Sequence, residues 1–108
     1  VMIGSYAAYR PAPSQAAYAA SKSALEGLVK SLAREWGKKG IRVNLVLPGF
    51  MLTDMTEGLR GSVKEAALSR HVLGRFNTPE QTAAFLLFLQ EALTAASGQG
   101  FDLDSRIL

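Results

Sequence analysis

The chain has 108 residues, 48% of them apolar, which suits one globular unit of a single domain at most. It has no cysteine and one histidine, His71, so a disulfide framework is excluded and a metal site is not expected. The formal charge of +3 is spread along the chain without a dense basic run, so we expect no nucleic-acid partner. No apolar stretch reaches the roughly 18 to 20 residues that span a bilayer, and the start lacks the features of a signal peptide. We therefore expect a cytoplasmic protein with no membrane partner.

The first half of the chain reads as strand, helix and strand. The run VMIGS predicts a buried strand, and the loop after it ends at Ser14, the expected N-cap of a long helix over residues 15–38. The run IRVNLVL predicts a second strand over residues 41–47, which Pro48 and Gly49 close. Its apolar residues on both faces are typical of a parallel sheet covered by helices.

The second half reads as a loop-rich segment, a helix and a strand. The pattern weakens over residues 50–75, where we expect a short helix near 62–72. Thr78, Pro79 and Gln81 form the signature of a capped helix start, and FDL near the end predicts a third strand. Strands that alternate with helices indicate an α/β fold with a doubly wound parallel sheet. Three strands are too few for a covered parallel sheet, so we expect the chain to be part of a larger one.

Tyr18 and Lys22, in the stretch YAASK, lie one helical turn apart on one face of the long helix. An ammonium group beside a phenol favours the phenolate, so such a tyrosine can exchange a proton with a reacting oxygen. The spacing alone is weak, because many ordinary helices contain a tyrosine and a lysine four residues apart.

Other polar groups follow the strand ends, where open α/β sheets bind their ligands. Ser5 ends the first strand and could hydrogen-bond a substrate oxygen, or it could be a turn residue only. Pro48 and Gly49 end the second strand, with Thr53 four residues later, and they could hold an amide ligand or simply terminate the strand. These residues place several polar groups at one edge of the sheet.

Over nearly its whole length the sequence resembles the C-terminal half of the short-chain dehydrogenases/reductases. The resemblance rests on Ser5 thirteen residues before Tyr18, on YAASKSALEGLVKSLARE, GIRVNLVLPGFMLTDM, GRFNTPEQTAAFLLFL and SGQGFDLDS. It implies a Rossmann-type sheet in which residues 1–108 supply the catalytic helix, a substrate lid over 50–75, and the last helix and strand.

The resemblance also implies roles. Tyr18 matches the family's general acid/base, Ser5 the residue that orients the carbonyl, and Lys22 the residue that assists the tyrosine and binds the nicotinamide ribose. Pro48, Gly49 and Thr53 match the segment around the nicotinamide, so Tyr18, Lys22 and these three are the expected cofactor contacts. The expected cofactor is NADP or NAD, with NADPH favoured.

The family's Gly-rich phosphate turn, its adenine-ribose selector and its catalytic Asn have no counterpart in this sequence, and no GxGxxG stretch follows a strand. We therefore expect the dinucleotide-binding half to lie outside residues 1–108. The ending also departs, since Asp104 and Ser105 stand where the family often has two glycines. Asp102 and Asp104 are interpreted as strand-end turn residues without catalysis. His71 is interpreted as a surface or half-buried residue, with a contact to substrate as the alternative.

The pattern is most like that of the 3-oxoacyl-(acyl-carrier-protein) reductases, which implies reduction of a ketone on a small molecule or a carrier protein in fatty acid biosynthesis. Two alternatives stay open: a dehydrogenase of a sugar, polyol or steroid alcohol, and a non-catalytic oligomerisation or scaffold module with the same fold. The family also implies a homodimer or homotetramer that packs through the helix over residues 15–38.

Overall fold

Three short parallel strands form the centre of the fold, as the sequence predicts. The computed structural model describes all 108 residues. The strands are β1 (Met2–Ile3), β2 (Leu45–Leu47) and β3 (Gly100–Asp102), and the helices are α1 (Ala16–Trp36), α2 (Asp54–Glu57), α3 (Gly61–Leu68) and α4 (Pro79–Glu91). Strand β2 lies between β1 and β3, with Ile3 beside Val46 and Val46 beside Phe101. Short 3₁₀ turns occupy Tyr6–Ala8 and Gly37–Lys39.

Helices pack on both faces of β2. Side chains alternate along a strand, so neighbouring residues of β2 contact different helices. Leu45 and Leu47 face α1 and form the core cluster with Val29 and Val43. On the other face Val46 is fully buried. Phe101, the β3 residue beside Val46, packs against Phe85 of α4 with ring centroids 5.3 Å apart and the rings tilted by 56°. The α/β class is therefore confirmed, and the parallel strands end at one common edge, which we call the carboxyl edge.

The start of α1 differs from the prediction. Gln15 is the N-cap, and Ser14 instead adopts a left-handed backbone with φ of 67°. The Gln15 side chain accepts a hydrogen bond from the Ala12 N–H at 2.8 Å, which closes the loop before the helix. Ser14 was the wrong choice because the loop geometry places it in a turn, where its side chain cannot reach the first free N–H groups of the helix.

The start of α4 is as predicted. Thr78 Oγ1 accepts from the Gln81 N–H at 3.1 Å, and Gln81 Oε1 accepts from the Thr78 N–H at 3.2 Å. Pro79 occupies the first helical position, where its missing N–H costs nothing.

Two other boundaries differ. Strand β2 is shorter than residues 41–47, because the Val43 N–H binds the Ser97 hydroxyl at 3.1 Å instead of a neighbouring strand. The segment 50–75 holds two helices, α2 and α3, where the sequence predicts one over 62–72.

None of the helices combines the length and apolar character needed to cross a bilayer.

Candidate active site

A cleft of about 870 Å³ opens at the carboxyl edge of the sheet, between α1 on one side and α2 and α3 on the other. Four basic side chains line the cleft and no acidic one does. Its electrostatic character therefore favours an anionic ligand. The residues that the sequence singles out all lie along its wall: Ser5, Tyr18, Lys22, Pro48, Gly49 and Thr53.

Tyr18 and Lys22 face the cleft from the first two turns of α1. Lys22 Nζ lies 5.9 Å from the centroid of the Tyr18 ring, so the ammonium group is close to the phenol. It also donates to the carbonyl oxygen of Ile3 at 3.0 Å, which fixes the lysine against β1. Tyr18 is 48% exposed, and its ring points into open space that a ligand can fill. The hydrogen bond from Lys22 to the Ile3 carbonyl uses one of the three N–H donors of the ammonium group, so two donors remain for a ligand.

Ser5 stands where β1 ends and the first 3₁₀ turn begins. Its Oγ accepts from the Ala7 N–H at 3.2 Å, which caps the turn. A hydroxyl that accepts in this way keeps its own proton to donate. Ser5 can therefore serve the local turn and still hydrogen-bond an oxygen atom in the cleft.

The turn at Pro48 and Gly49 is held from beneath by a buried asparagine. Asn77 Nδ2 donates to the Pro48 carbonyl at 2.7 Å and to Thr82 Oγ1 at 2.9 Å. Gly49 has φ of 86°, a conformation that other residues rarely adopt. Asn77 was missed at the sequence level because no local pattern links it to a proline 29 positions away.

The same turn also rests on Asp104, which follows β3. Asp104 Oδ2 accepts from the Phe50 N–H at 3.2 Å, and the Arg106 guanidinium binds the same oxygen at 2.6 Å and 2.8 Å. Burial opposes ionisation of this carboxyl, but the hydrogen bonds and charge of Arg106 hold the pKa of Asp104 below its ordinary value. The interpretation of Asp104 as a mere turn residue was therefore incomplete.

His71 is buried, contrary to the expectation of a surface or half-buried residue. Only 4% of it is exposed, and its Nδ1 donates to the Ala67 carbonyl at 2.7 Å. Its Nε2 lies 3.3 Å from Asp104 Oδ2, at an angle that gives no hydrogen bond. His71 is thus part of the packing around Asp104 and does not line the cleft.

The outer wall of the cleft comes from residues 50–75 and is partly apolar. Met55, Val63 and Ala66 project along it from α2 and α3, and Met55 is 90% exposed. Thr53 precedes α2, and its N–H donates to Thr56 Oγ1 at 2.9 Å. The cleft thus has apolar side chains on this wall in addition to its basic ones.

Comparisons with known proteins give one consistent family. The family model described as Enoyl-(Acyl carrier protein) reductase matches residues 1–105. The chain is 43% identical over 97 residues to a 3-oxoacyl-(acyl-carrier-protein) reductase of Thermotoga maritima, covering 89% of this chain and 39% of that protein. It is 47% identical over 92 residues to carbonyl reductase family member 4 of Danio rerio, covering 85% of this chain and 38% of that protein. It thus spans about two fifths of the length of these curated relatives.

Solved structures of two dehydrogenases are similar to this chain in fold and in sequence. A 4-hydroxyisoleucine dehydrogenase in complex with NADH has a TM-score of 0.89 and 32% identity, covering 96% of this chain and 44% of that one. A glucose/ribitol dehydrogenase of the short-chain type from Brucella melitensis has a TM-score of 0.82 and 33% identity, covering 93% and 41%.

Proposed function

The chain belongs to the short-chain dehydrogenase/reductase family, and we propose that it forms the catalytic part of an NAD(P)(H)-dependent oxidoreductase that reduces a 3-oxoacyl thioester. The observation that carries this proposal is the grouping of Ser5, Tyr18 and Lys22 with the Pro48–Gly49 turn around one basic cleft. The reductase names of the curated relatives support the substrate class. In this proposal the chain works within a longer or assembled cytoplasmic protein that supplies the dinucleotide-binding half.

In this mechanism Ser5 and Tyr18 hold the ketone oxygen of the substrate by hydrogen bonds. Tyr18 gives its proton to that oxygen as the ketone becomes a secondary alcohol, and the ammonium of Lys22 stabilises the phenolate that remains. A nicotinamide supplies the hydride when bound. Lys22 has two free donors that would bind the ribose of the nicotinamide. The Pro48–Gly49 turn and Thr53 would hold the nicotinamide ring.

NADPH is the preferred cofactor in this proposal, with NADH as the alternative. The basic cleft suits either phosphorylated molecule. Comparison of kcat/KM for NADPH and NADH in the whole enzyme distinguishes them, and equal values would remove the preference.

The test replaces the tyrosine. In the whole enzyme, Tyr18→Phe should lower kcat for an acetoacetyl thioester by about 10²- to 10⁴-fold, because it removes the proton donor. Cofactor binding, followed by NADPH fluorescence, should change little. Tyr9→Phe is the matched control, since the Tyr9 hydroxyl binds Glu26 at 3.0 Å, away from the cleft. Full turnover by Tyr18→Phe would remove Tyr18 from the acid/base role and favour the non-catalytic scaffold.

A second substrate class has specific support. Both solved structures reported above are dehydrogenases whose names denote hydroxylated small molecules. Turnover of sugar, polyol or steroid alcohols with NAD, in the absence of turnover of acetoacetyl thioesters, would favour this class.

We also propose that the whole enzyme is a homodimer or homotetramer that packs through the helix predicted over residues 15–38. The support is apolar exposure on α1, where Leu28 and Trp36 are 44% and 37% exposed. The molar mass of the whole enzyme by light scattering tests this association.

A further inference from the structure

The residues after β3 contact three separate segments around the cleft. We infer that Asp104 and Arg106 are positioning residues, whose ion pair fixes the strand end that carries Ser5 and the Pro48–Gly49 turn at one separation. This inference rests on the proposed function, because it assigns the pair to the geometry of that reaction. Asp104 belongs to the stretch where this sequence departs from the two glycines that the family often has.

The Asp104–Arg106 pair is short and nearly dry. Arg106 Nη2 and Nε lie 2.6 Å and 2.8 Å from Asp104 Oδ2, and the Arg106 N–H donates to Oδ1 at 3.0 Å. The two side chains are only 1% and 10% exposed. Charge-assisted hydrogen bonds of this kind are strong and directional. The pair therefore sets the orientation of both side chains with little freedom.

Through Asp104 the pair reaches the Pro48–Gly49 turn. Its Oδ2 accepts from the Phe50 N–H at 3.2 Å. Gly49 packs directly on the Asp104 side chain, so a Cβ added to this glycine would collide with it. The turn thus lies on the carboxylate, and a change in the orientation of Asp104 must move it.

Through Arg106 the pair reaches the Ser5 segment. The guanidinium carbon lies 3.9 Å from the centroid of the Tyr6 ring, at cation–π contact distance. Tyr6 follows Ser5 directly, and the Ser5 hydroxyl caps the turn Tyr6–Ala8. The position of the ring is therefore coupled to the position of the Ser5 hydroxyl.

The third contact is with the end of the segment 50–75. Beside the buried His71, the Val72 N–H donates to the Ser105 carbonyl at 3.2 Å, and the Leu73 N–H donates to the Ser105 hydroxyl at 3.2 Å. These bonds hold the residue between Asp104 and Arg106. The pair is consequently fixed by this segment as well as by its own ionic contact.

The expected effect is on the rate of the chemical step. Displacement of reacting groups by about 1 Å lowers rates by roughly 10²-fold. In the whole enzyme, Arg106→Gln should lower kcat at least about tenfold, with a smaller change in the KM for substrate. Arg106→Lys keeps the charge but loses the planar pair of bonds, so its kcat should lie between those of the wild type and Arg106→Gln.

Two controls separate positioning from loss of stability. Leu89 is buried near the C-terminal end of α4 and belongs to none of the contacts of the pair. Leu89→Ala therefore leaves a cavity there and should lower the melting temperature. Lys30→Gln breaks an exposed ion pair with Glu26 and should leave kcat unchanged. A fall in kcat by Arg106→Gln that is no larger than that by Leu89→Ala would overturn the inference. If Arg106→Gln does not fold, wild-type kcat in Arg106→Lys would overturn it equally.

A second readout does not need turnover. Without cofactor, amide hydrogen exchange at Phe50 should be at least about tenfold faster in Arg106→Gln than in the wild type, because the acceptor of this amide loses its fixed orientation. Leu89→Ala should leave this exchange rate unchanged. An inactive wild type with the expected exchange would refute the proposed function while confirming that the pair holds the turn. Unchanged exchange at Phe50 in Arg106→Gln would refute the inference even in an active enzyme.

Discussion

The two ends of the central strand use polar side chains in opposite ways. At the amino edge, before β2, Arg42 donates to the carbonyl oxygens of Leu89, Leu93 and Gln90, each at 3.0 Å. The carbonyl groups of Leu89 and Gln90 are among those that the end of α4 leaves without helical partners, and Leu93 follows the helix. Asn44 likewise bonds two backbone groups of the connection to β3, at 2.9 Å and 3.1 Å. Both side chains are thus bound to the backbone and do not line the cleft.

At the carboxyl edge polar groups keep capacity to spare. Tyr18 is 48% exposed, Lys22 has donors to spare and Ser5 keeps its proton, while Asn77 and Asp104 bind the backbone of the turn beneath them. Groups that face the cleft are therefore left open, and the buried groups behind them are bound to the backbone of the turn. The difference teaches that polar residues with spare hydrogen-bonding capacity, more than polar residues as such, indicate a ligand site.

The largest effect is expected from one carbon atom added at the carboxyl edge, the Cβ of an alanine in place of Gly49. Gly49→Ala must adopt a φ of 86° and also collide with Asp104. The strained backbone costs roughly 1–2 kcal/mol, and the collision must in addition displace the turn. In the whole enzyme kcat should fall by about 10²-fold or more.

Gly40→Ala is the matched control for that experiment. Gly40 has a similar φ of 75°, lies at the amino edge, and has open space where a Cβ would stand. The two variants should lose a similar backbone contribution to the free energy of unfolding, but only Gly49→Ala should lose activity. Equal activity in both variants would contradict the assignment of the turn to the site.

A smaller effect, on stability alone, is expected from a substitution at the amino edge. Arg42→Met removes the donor from two carbonyl oxygens at the end of α4, those of Leu89 and Gln90, while keeping the bulk of the side chain. Hydrogen bonds from charged donors contribute about 1.5–3 kcal/mol each, so the free energy of unfolding should fall by roughly 2–4 kcal/mol. Chemical denaturation of the whole enzyme measures this change. The kcat per folded molecule should stay at the wild-type value, and a tenfold fall would show that the two edges are not independent.

Sequence reasoning succeeded where the determining interactions are local. The capped start of α4 depends on Thr78, Pro79 and Gln81, which are neighbours in the chain. The parallel sheet follows from strands that alternate with helices, and the position of a cleft follows from the common edge at which parallel strands end. Tyr18 and Lys22 share a helix face by spacing alone, so the sequence predicts their proximity.

It failed where partners lie far apart in the chain. Arg42 is 47 positions from Leu89, and Asp104 is 54 positions from Phe50. No local pattern announces such pairs, because they depend on how the helices and strands pack. Burial has the same origin: His71 looks like a surface residue in sequence, but it is buried where Phe76 packs on its ring and where it pairs with Arg106.

The smallest effect sharpens the comparison within the carboxyl edge itself, between two aspartates two positions apart. The bonds of Arg106 outweigh burial and lower the pKa of Asp104, whereas burial raises the pKa of Asp102 with a further contribution from the Asp104 charge. Ionised Asp104 therefore stabilises the fold above the ordinary aspartate pKa of about 3.9, and this stability is lost as the pH falls through the lowered pKa. Ionised Asp102 destabilises the fold once the pH has risen through its raised pKa.

The two asparagine variants should consequently have opposite signs. At pH near 7, Asp104→Asn should lower the free energy of unfolding of the whole enzyme and Asp102→Asn should raise it slightly. The Asp102 difference should shrink as the pH falls from its raised pKa to about 3.9, and the Asp104 difference should shrink as the pH falls from about 3.9 through its lowered pKa. Denaturant titrations over this pH range measure both. Differences of the same sign at neutral pH would mean that Arg106 does not outweigh burial at Asp104, and the ion pair would then lack the strength to hold the turn.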